Sequence, residues 1–143
     1  MDRIAVLAVL LALGALVGLW RLRTDGRARA TRPDWLGAAD LGAELGSAAT
    51  LVQFSTPICA PCRSAHRVLS AVAAATPGVR HVEVDAEQRL DLSRRFGVLR
   101  TPTVLVLDAG GRVVRRSTGV PSAEQVRQAL SATRAIVPEV PGD

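Results

Sequence analysis

Hydrophobic positions along this chain fall into blocks of different period. Residues 4–20 are seventeen consecutive uncharged, mostly apolar positions. As a helix they would span about 26 Å, near the lower limit for a bilayer core of about 30 Å. Leu22 extends the apolar face if Arg21 snorkels, and Trp20 stands where an interfacial ring is useful. A transmembrane anchor over 1–22 is the expectation. A cleaved signal peptide fits less well. Arg3 is offset by Asp2, and the Ala28/Ala30 pattern lies among arginines well past the apolar run.

The next blocks are shorter. Residues 23–33 read as a linker. Asp34 to Leu45 could form a helix with Trp35, Leu36, Leu41 and Leu45 inward, weakened by Gly37 and Gly42. Thr50 to Phe54 is an apolar strand candidate. Ala65, Val68, Leu69 and Val72 recur at helical spacing, predicting a helix from Cys62 to Ala75. Thr76-Pro77-Gly78 stops it. Val79, Val82 and Val84 mark a second strand, and Asp91 to Phe96 a short helix closed by Gly97. Thr103 to Leu107 is a third strand. Asp108-Ala109-Gly110-Gly111 makes a hairpin turn into a charged fourth strand, Arg112 to Thr118, suited to an edge. Ser122 and Gln125 form a capping box for a last helix lined by Val126, Ala129, Leu130 and Thr133. The order predicts an α/β domain over 34–137, with a central mixed sheet flanked by helices. Residues 138–143 read as a tail.

Charge sharpens this division. The 143 residues carry a net charge of +5. Residues 21–32 hold five Arg against Asp25, whereas Pro33 onward holds twelve Arg against eleven acids. The basicity thus belongs to the flank of the apolar run, not to a basic face of the domain. That argues against nucleic acid as a partner. The arginines after the span place the domain in the cytoplasm by the positive-inside rule, with an extracytoplasmic domain as the alternative. The expected location is a single-pass cell membrane protein with the bilayer as a partner.

Two cysteines are too few for a disulfide-dense scaffold. They stand together as Cys59-Ala60-Pro61-Cys62, after an apolar strand and at the start of a helix. Unpaired N–H groups and the helix dipole stabilise a thiolate at Cys59. Cys62 is placed to attack a mixed disulfide, and Pro61 suits a first turn that needs no N–H there. A Cys2His2 zinc site would need His66 and His81, whose spacing matches no common finger.

The segments LVQFSTPICAPC (51–62), VEVDAE (82–87), FGVLRTPTVLVLDAGGRVV (96–114) and STGVPSAEQVRQAL (117–130) resemble the thioredoxin superfamily from about Trp35 to Ala135. The resemblance implies a thioredoxin-like fold and a membrane-anchored thiol–disulfide oxidoreductase. Cys59 would be the nucleophile and Cys62 the buried resolving thiol. Pro102 would be a cis-proline facing them, with Thr101 and Gly119 beside the substrate groove. The residues alone leave Pro102 open between a cis bond and an ordinary trans strand start. The chain departs from the family at the site. Ile58 replaces the family's Trp, leaving Ile58 and Phe54 to form an apolar rim. Gln53 stands where the family has a buried acid, and His66, one turn after Cys62, is a candidate for proton transfer in its place.

The expected function is reduction of protein disulfides through this dithiol, with no metal or organic cofactor and an unidentified thiol electron donor. The alternatives are an extracytoplasmic reductase or oxidase of envelope proteins, and a non-catalytic tethered binding module. An intact CxxC disfavours the module.

Overall fold

The structure is a computed structural model that describes residues 9–17 and 35–136. Its contacts divide the chain into two units, Met1–Arg32 and Pro33–Asp143.

In the first unit, residues 9–17 are helical. Nine residues of helix span about 14 Å, less than half a bilayer core. Among the described residues no helix is long and apolar enough to cross a membrane. This corrects the expected transmembrane helix. The membrane-anchored assignment, the bilayer as a partner and the single-pass membrane location rested on it and fall with it. An apolar run is necessary for a span, but a helix of about twenty residues is also required, and none is found among the described residues. The remainder of the run and the expected linker at 23–33 lie outside the described residues, as does the tail at 138–143.

The second unit is a four-stranded mixed sheet with helices on both faces. Its elements are α1 (Ala38–Leu41), β1 (Ala49–Ser55), α2 (Ala60–Ala75), β2 (Val79–Asp85), α3 (Leu90–Arg95), β3 (Thr103–Asp108), β4 (Val113–Thr118) and α4 (Ala123–Ile136). The strand order is β2-β1-β3-β4. β1 runs parallel to β2 and antiparallel to β3, and β4 is antiparallel to β3. The charged strand β4 forms one edge, as its Arg115 and Arg116 predict.

Period-2 alternation sorts the core into two layers. Val52 and Phe54 of β1 join Val84, Leu105 and Leu107, covered by Leu36, Leu92 and Phe96. Ala49 and Leu51 join Val104 and Val106 on the other face, under Leu69 and Val72 of α2 and Val126, Ala129 and Leu130 of α4. The capping box of α4 forms in both directions. Ser122 N–H donates to Gln125 Oε1 at 2.9 Å, and Gln125 N–H donates to Ser122 Oγ at 3.2 Å.

The long helix expected over 34–45 is reduced to the four residues of α1, bounded by Gly37 and Gly42. Leu36 is fully buried, but Trp35 is exposed. Trp35 instead bridges to Arg112 beside β4. Tertiary pairing of this segment overrides a weak helical pattern.

Candidate active site

β1 ends at Ser55, and four residues later Cys59 caps α2. Cys59 has extended backbone (φ −146°, ψ 96°) and its Sγ accepts the Cys62 N–H at 3.2 Å. This is the bond a Ser or Thr N-cap makes, with sulfur as the acceptor. Pro61 sits in the first turn, where no N–H is needed. Ala60 is exposed beside it. Cys59 and Cys62 are joined in a disulfide, with Cα atoms 5.2 Å apart. Cys59 is partly exposed, whereas Cys62 is buried. One sulfur is therefore open to a partner and the other is shielded.

The other predicted groove residues converge here. Thr101–Pro102 is a cis peptide. Thr101 Oγ1 lies 3.7 Å from Cys59 Sγ and 3.4 Å from Thr56 Oγ1. Gly119 N–H donates to the Pro102 carbonyl at 2.9 Å, tying the end of β4 to the proline loop. Gly119 has φ +90°, and a Cβ there would meet nothing within 4 Å. Backbone conformation, not space, asks for glycine at this position.

The apolar rim differs from expectation. Ile58 is 97% exposed, but Phe54 is fully buried in the layer under Leu36. Alternation along β1 points Phe54 away from the α2 side, so it cannot line the site. Two further exposed apolar residues neighbour site residues in sequence, Leu99 (89% exposed) two before Thr101 and Val120 (46% exposed) next to Gly119. Each of the three flanks one of the site's loops.

Beneath Cys62 lies a polar cluster that sequence reasoning only partly located. Gln53 is fully buried. Its Nε2 donates to Ser55 Oγ at 2.8 Å and to the Cys62 carbonyl at 2.9 Å. Its Oε1 meets His81 Nε2 at 3.1 Å, and His81 Nδ1 meets Ser70 Oγ at 2.9 Å. His66 is directed to Glu83 Oε2, 3.0 Å from its Nδ1. Its ring stands edge-on to His81, with centroids 4.9 Å apart. The residue touching Cys62 from below is Gln53. His81, Glu83 and Ser70 were missed, yet the signal was present. Val79, His81 and Glu83 share one face of β2, the face carrying Val79 into the α2 layer. Among the described residues, no group of three or more His, Cys, Asp or Glu side chains is placed to hold a metal ion.

Burial lowers the His81 pKa from 6.5 to about 4; repulsion from His66 adds to the effect and Glu83 opposes it. The unfolded chain therefore takes up a proton on His81 that the folded chain refuses. The resulting stabilisation is full above pH 6.5 and is lost as pH falls toward 4. Each pKa unit is worth about 1.4 kcal/mol, and solvent screening at this half-exposed ring trims the total to about 1–2 kcal/mol. Urea unfolding at pH 7 and pH 4.5 should show that extra loss in the native chain and not in His81→Gln. Equal losses in both proteins would exclude His81 as the source.

A partly exposed helix-capping sulfur, bonded to a buried one and faced by a cis-proline, defines a dithiol–disulfide exchange site. Comparison with known proteins agrees. The family model described as Thioredoxin matches residues 41–132. A thioredoxin of Chlamydia muridarum is 32% identical over 87 residues, covering 61% of this chain and 84% of that protein. A putative thioredoxin H10 of Arabidopsis thaliana is 32% identical over 82 residues, covering 57% of this chain; the match spans 53% of that relative's length. Among solved structures, thioredoxin NaTrxh of Nicotiana alata is 29% identical with a TM-score of 0.53, covering 60% of this chain and 74% of that one. Chloroplastic thioredoxin z, 24% identical with a TM-score of 0.55 over 62% of this chain and 80% of that one, shares the fold. The chain belongs to the thioredoxin family, and thiol–disulfide exchange is the chemistry of its Cys59–Cys62 pair.

Proposed function

We propose that this chain reduces disulfides in protein substrates, with Cys59 as the attacking thiolate and Cys62 as the resolving thiol. The Cys62 N–H that caps Cys59 Sγ supports that division of labour. It would stabilise negative charge on the exposed sulfur. The attack opens the substrate disulfide and leaves a mixed disulfide on Cys59. Cys62 then closes the ring and releases the second substrate thiol. Thr101, Pro102 and Gly119 line the groove in which the substrate backbone lies. His66 and Glu83 form the titratable pair on the helix face below, through which the Cys62 proton exchanges with solvent. A donor of the dithiol class returns the pair to the reduced state.

The observation that carries the protein-substrate reading is that Ile58, Leu99 and Val120, each within two residues of Cys59, Thr101 or Gly119 in sequence, are exposed apolar side chains. Exposed apolar side chains grouped around a site mark a contact surface for another polypeptide. The test is insulin reduction by the full chain with dithiothreitol as the donor. Precipitation of the insulin B chain no faster than with dithiothreitol alone would overturn the reading. Ile58→Ser and Leu99→Ser leave the charge around Cys59 untouched. Each should raise KM for insulin by about fivefold with kcat within about twofold, the pattern of lost uniform binding.

A further inference from the structure

We propose that His81 is a positioning residue for the resolving step, acting through Gln53 on the backbone of Cys62. The inference rests on the roles given above to Cys59 and Cys62. It follows from which groups can donate and which can only accept. The Cys62 carbonyl can only accept, so the Gln53 atom 2.9 Å from it must be the amide nitrogen. The two short contacts, to Ser55 Oγ and the Cys62 carbonyl, use both amide protons, with Glu83 Oε1 a longer third acceptor at 3.4 Å. Gln53 Oε1 then faces His81 Nε2 at 3.1 Å, and that nitrogen must carry the proton. A neutral ring protonated at Nε2 has a lone pair at Nδ1, which accepts from the Ser70 hydroxyl at 2.9 Å. Burial keeps the ring neutral at pH 7. The chain Ser70 O–H, His81, Gln53, Cys62 carbonyl thus runs in one direction, from α2 through β2 and β1 back to the first turn of α2.

The consequence is directional. With His81 in place, the Gln53 amide is held with its N–H toward Cys62. Without it, the buried Oε1 loses this donor, and the Gln53 side chain tilts to find another, drawing its N–H away from the Cys62 carbonyl. An unmet acceptor is costly in a fully buried amide, so the first turn of α2 shifts to follow that tilt. The Cys62 thiol rides on that turn. In resolution the Cys62 thiol gives up its proton and its sulfur bonds to Cys59 Sγ. The bond from Cys59 to the partner sulfur breaks, and that sulfur leaves with the electron pair and takes up a proton. Closure needs Cys62 in line with the bond it breaks, and misplacement slows it. The first attack, by Cys59 on the partner, needs the Cys62 N–H only within reach of Cys59 Sγ, and does not need the Cys62 thiol in line.

The experiment separates the two steps with oxidised glutathione as the probe, so it does not depend on the protein substrate. Reduced full-length protein is mixed with excess oxidised glutathione, quenched in acid at intervals and weighed by mass spectrometry. His81→Ala should form the glutathione adduct within about twofold of the native rate and close it roughly tenfold more slowly. His81→Gln, which keeps an N–H donor toward Gln53, should recover most of the closure rate. A purely structural histidine would lower stability without splitting the two steps. Closure at the native rate in His81→Ala overturns the proposal, as does a Gln variant no faster than Ala. Nitrogen-15 spectroscopy of the native protein gives a reading that survives misfolding of the variants. Imidazole protonated at Nε2 at pH 7 is expected, and an Nδ1–H tautomer overturns the hydrogen-bond chain. Absence of insulin reduction by the native protein would instead count against the protein-substrate reading, leaving the closure rates to judge His81.

Discussion

Cys59→Ser should reduce insulin turnover to background, a loss of at least about a thousandfold. A serine hydroxyl is not ionised near neutrality, and among the described residues no base is hydrogen-bonded to this position to activate it. The Thr101 hydroxyl at 3.7 Å and the Cys62 N–H at 3.2 Å are donors or neutral groups, suited to a sulfur anion and not to a hydroxyl proton. The fold should not suffer, because Ser is a good N-cap and can accept the same N–H. The comparison is therefore made with the reduced native protein, at matched melting temperature. Cys62→Ser should behave differently. It keeps the exposed nucleophile and loses only resolution, so it should accumulate a mixed disulfide with insulin chains. Turnover by Cys59→Ser above a few percent of native, or a trap that forms through Cys62 in its absence, would reverse the roles of the two sulfurs.

The asymmetry behind that expectation was legible in the sequence. A CxxC between an apolar strand and a helical repeat puts its first sulfur on the helix end and its second one turn inside. The structure adds Cys59 partly exposed and Cys62 at 3%. Alternation in β1 and β3 and the Ser122 capping box were equally readable, because each is a local pattern with one physical outcome. Phe54 shows where that reading failed. Proximity to the CxxC in sequence placed it at the rim, while alternation along the same strand puts it on the opposite face, with Val52. The N-terminal run failed for another reason. Hydropathy reports composition, whereas spanning a bilayer also depends on the length of helix, and among the described residues no helix is long and apolar enough to cross.

The polar cluster was hidden because it is assembled from three elements. Gln53 could be recognised as a residue that cannot titrate. Its amide orientation became visible only when β2 set His81 and Glu83 on the α2 side of the sheet. Replacing a buried acid by a buried amide removes a charge next to Cys62, and the neutral His81 does not restore one. On its sheet side Cys62 thus meets a neutral amide, with the Glu83 carboxylate one step behind it, 3.4 Å from Gln53 Nε2. His66 meets Glu83 at the surface. Reactivity of the resolving thiol is then set by orientation more than by a local field. That is why directional bonds from Gln53 matter here more than the titration of a near neighbour.

Gly46→Ala should destabilise the domain by about 3 kcal/mol or more, lowering its Tm by roughly 10 °C or more. Nothing in the sequence around Gly46 marks it, since two of the three constraining atoms belong to residues more than thirty positions away. A Cβ at Gly46 would lie 2.1 Å from the Ala49 carbonyl oxygen, 2.6 Å from the Gly78 carbonyl oxygen and 2.8 Å from the Arg80 nitrogen. All three are backbone atoms, so no rotamer change can relieve them. Relief would require the entry to β1 to separate from the start of β2. That would strain the Ala48 N–H bond to the Gly78 carbonyl (2.8 Å) and the Gly46 N–H bond to the buried Thr50 hydroxyl (2.9 Å). Gly37→Ala makes the same chemical change where the nearest atom to a Cβ is a flexible Asp40 oxygen at 3.8 Å. It should cost less than about 1 kcal/mol. The clash sits at the start of β1, whereas Cys59 follows its far end, about 20 Å along the strand. Molecules of Gly46→Ala that remain folded at low temperature should therefore still reduce disulfides. A Gly46→Ala protein as stable as Gly37→Ala in urea would show that the two strands can part at this point without loss.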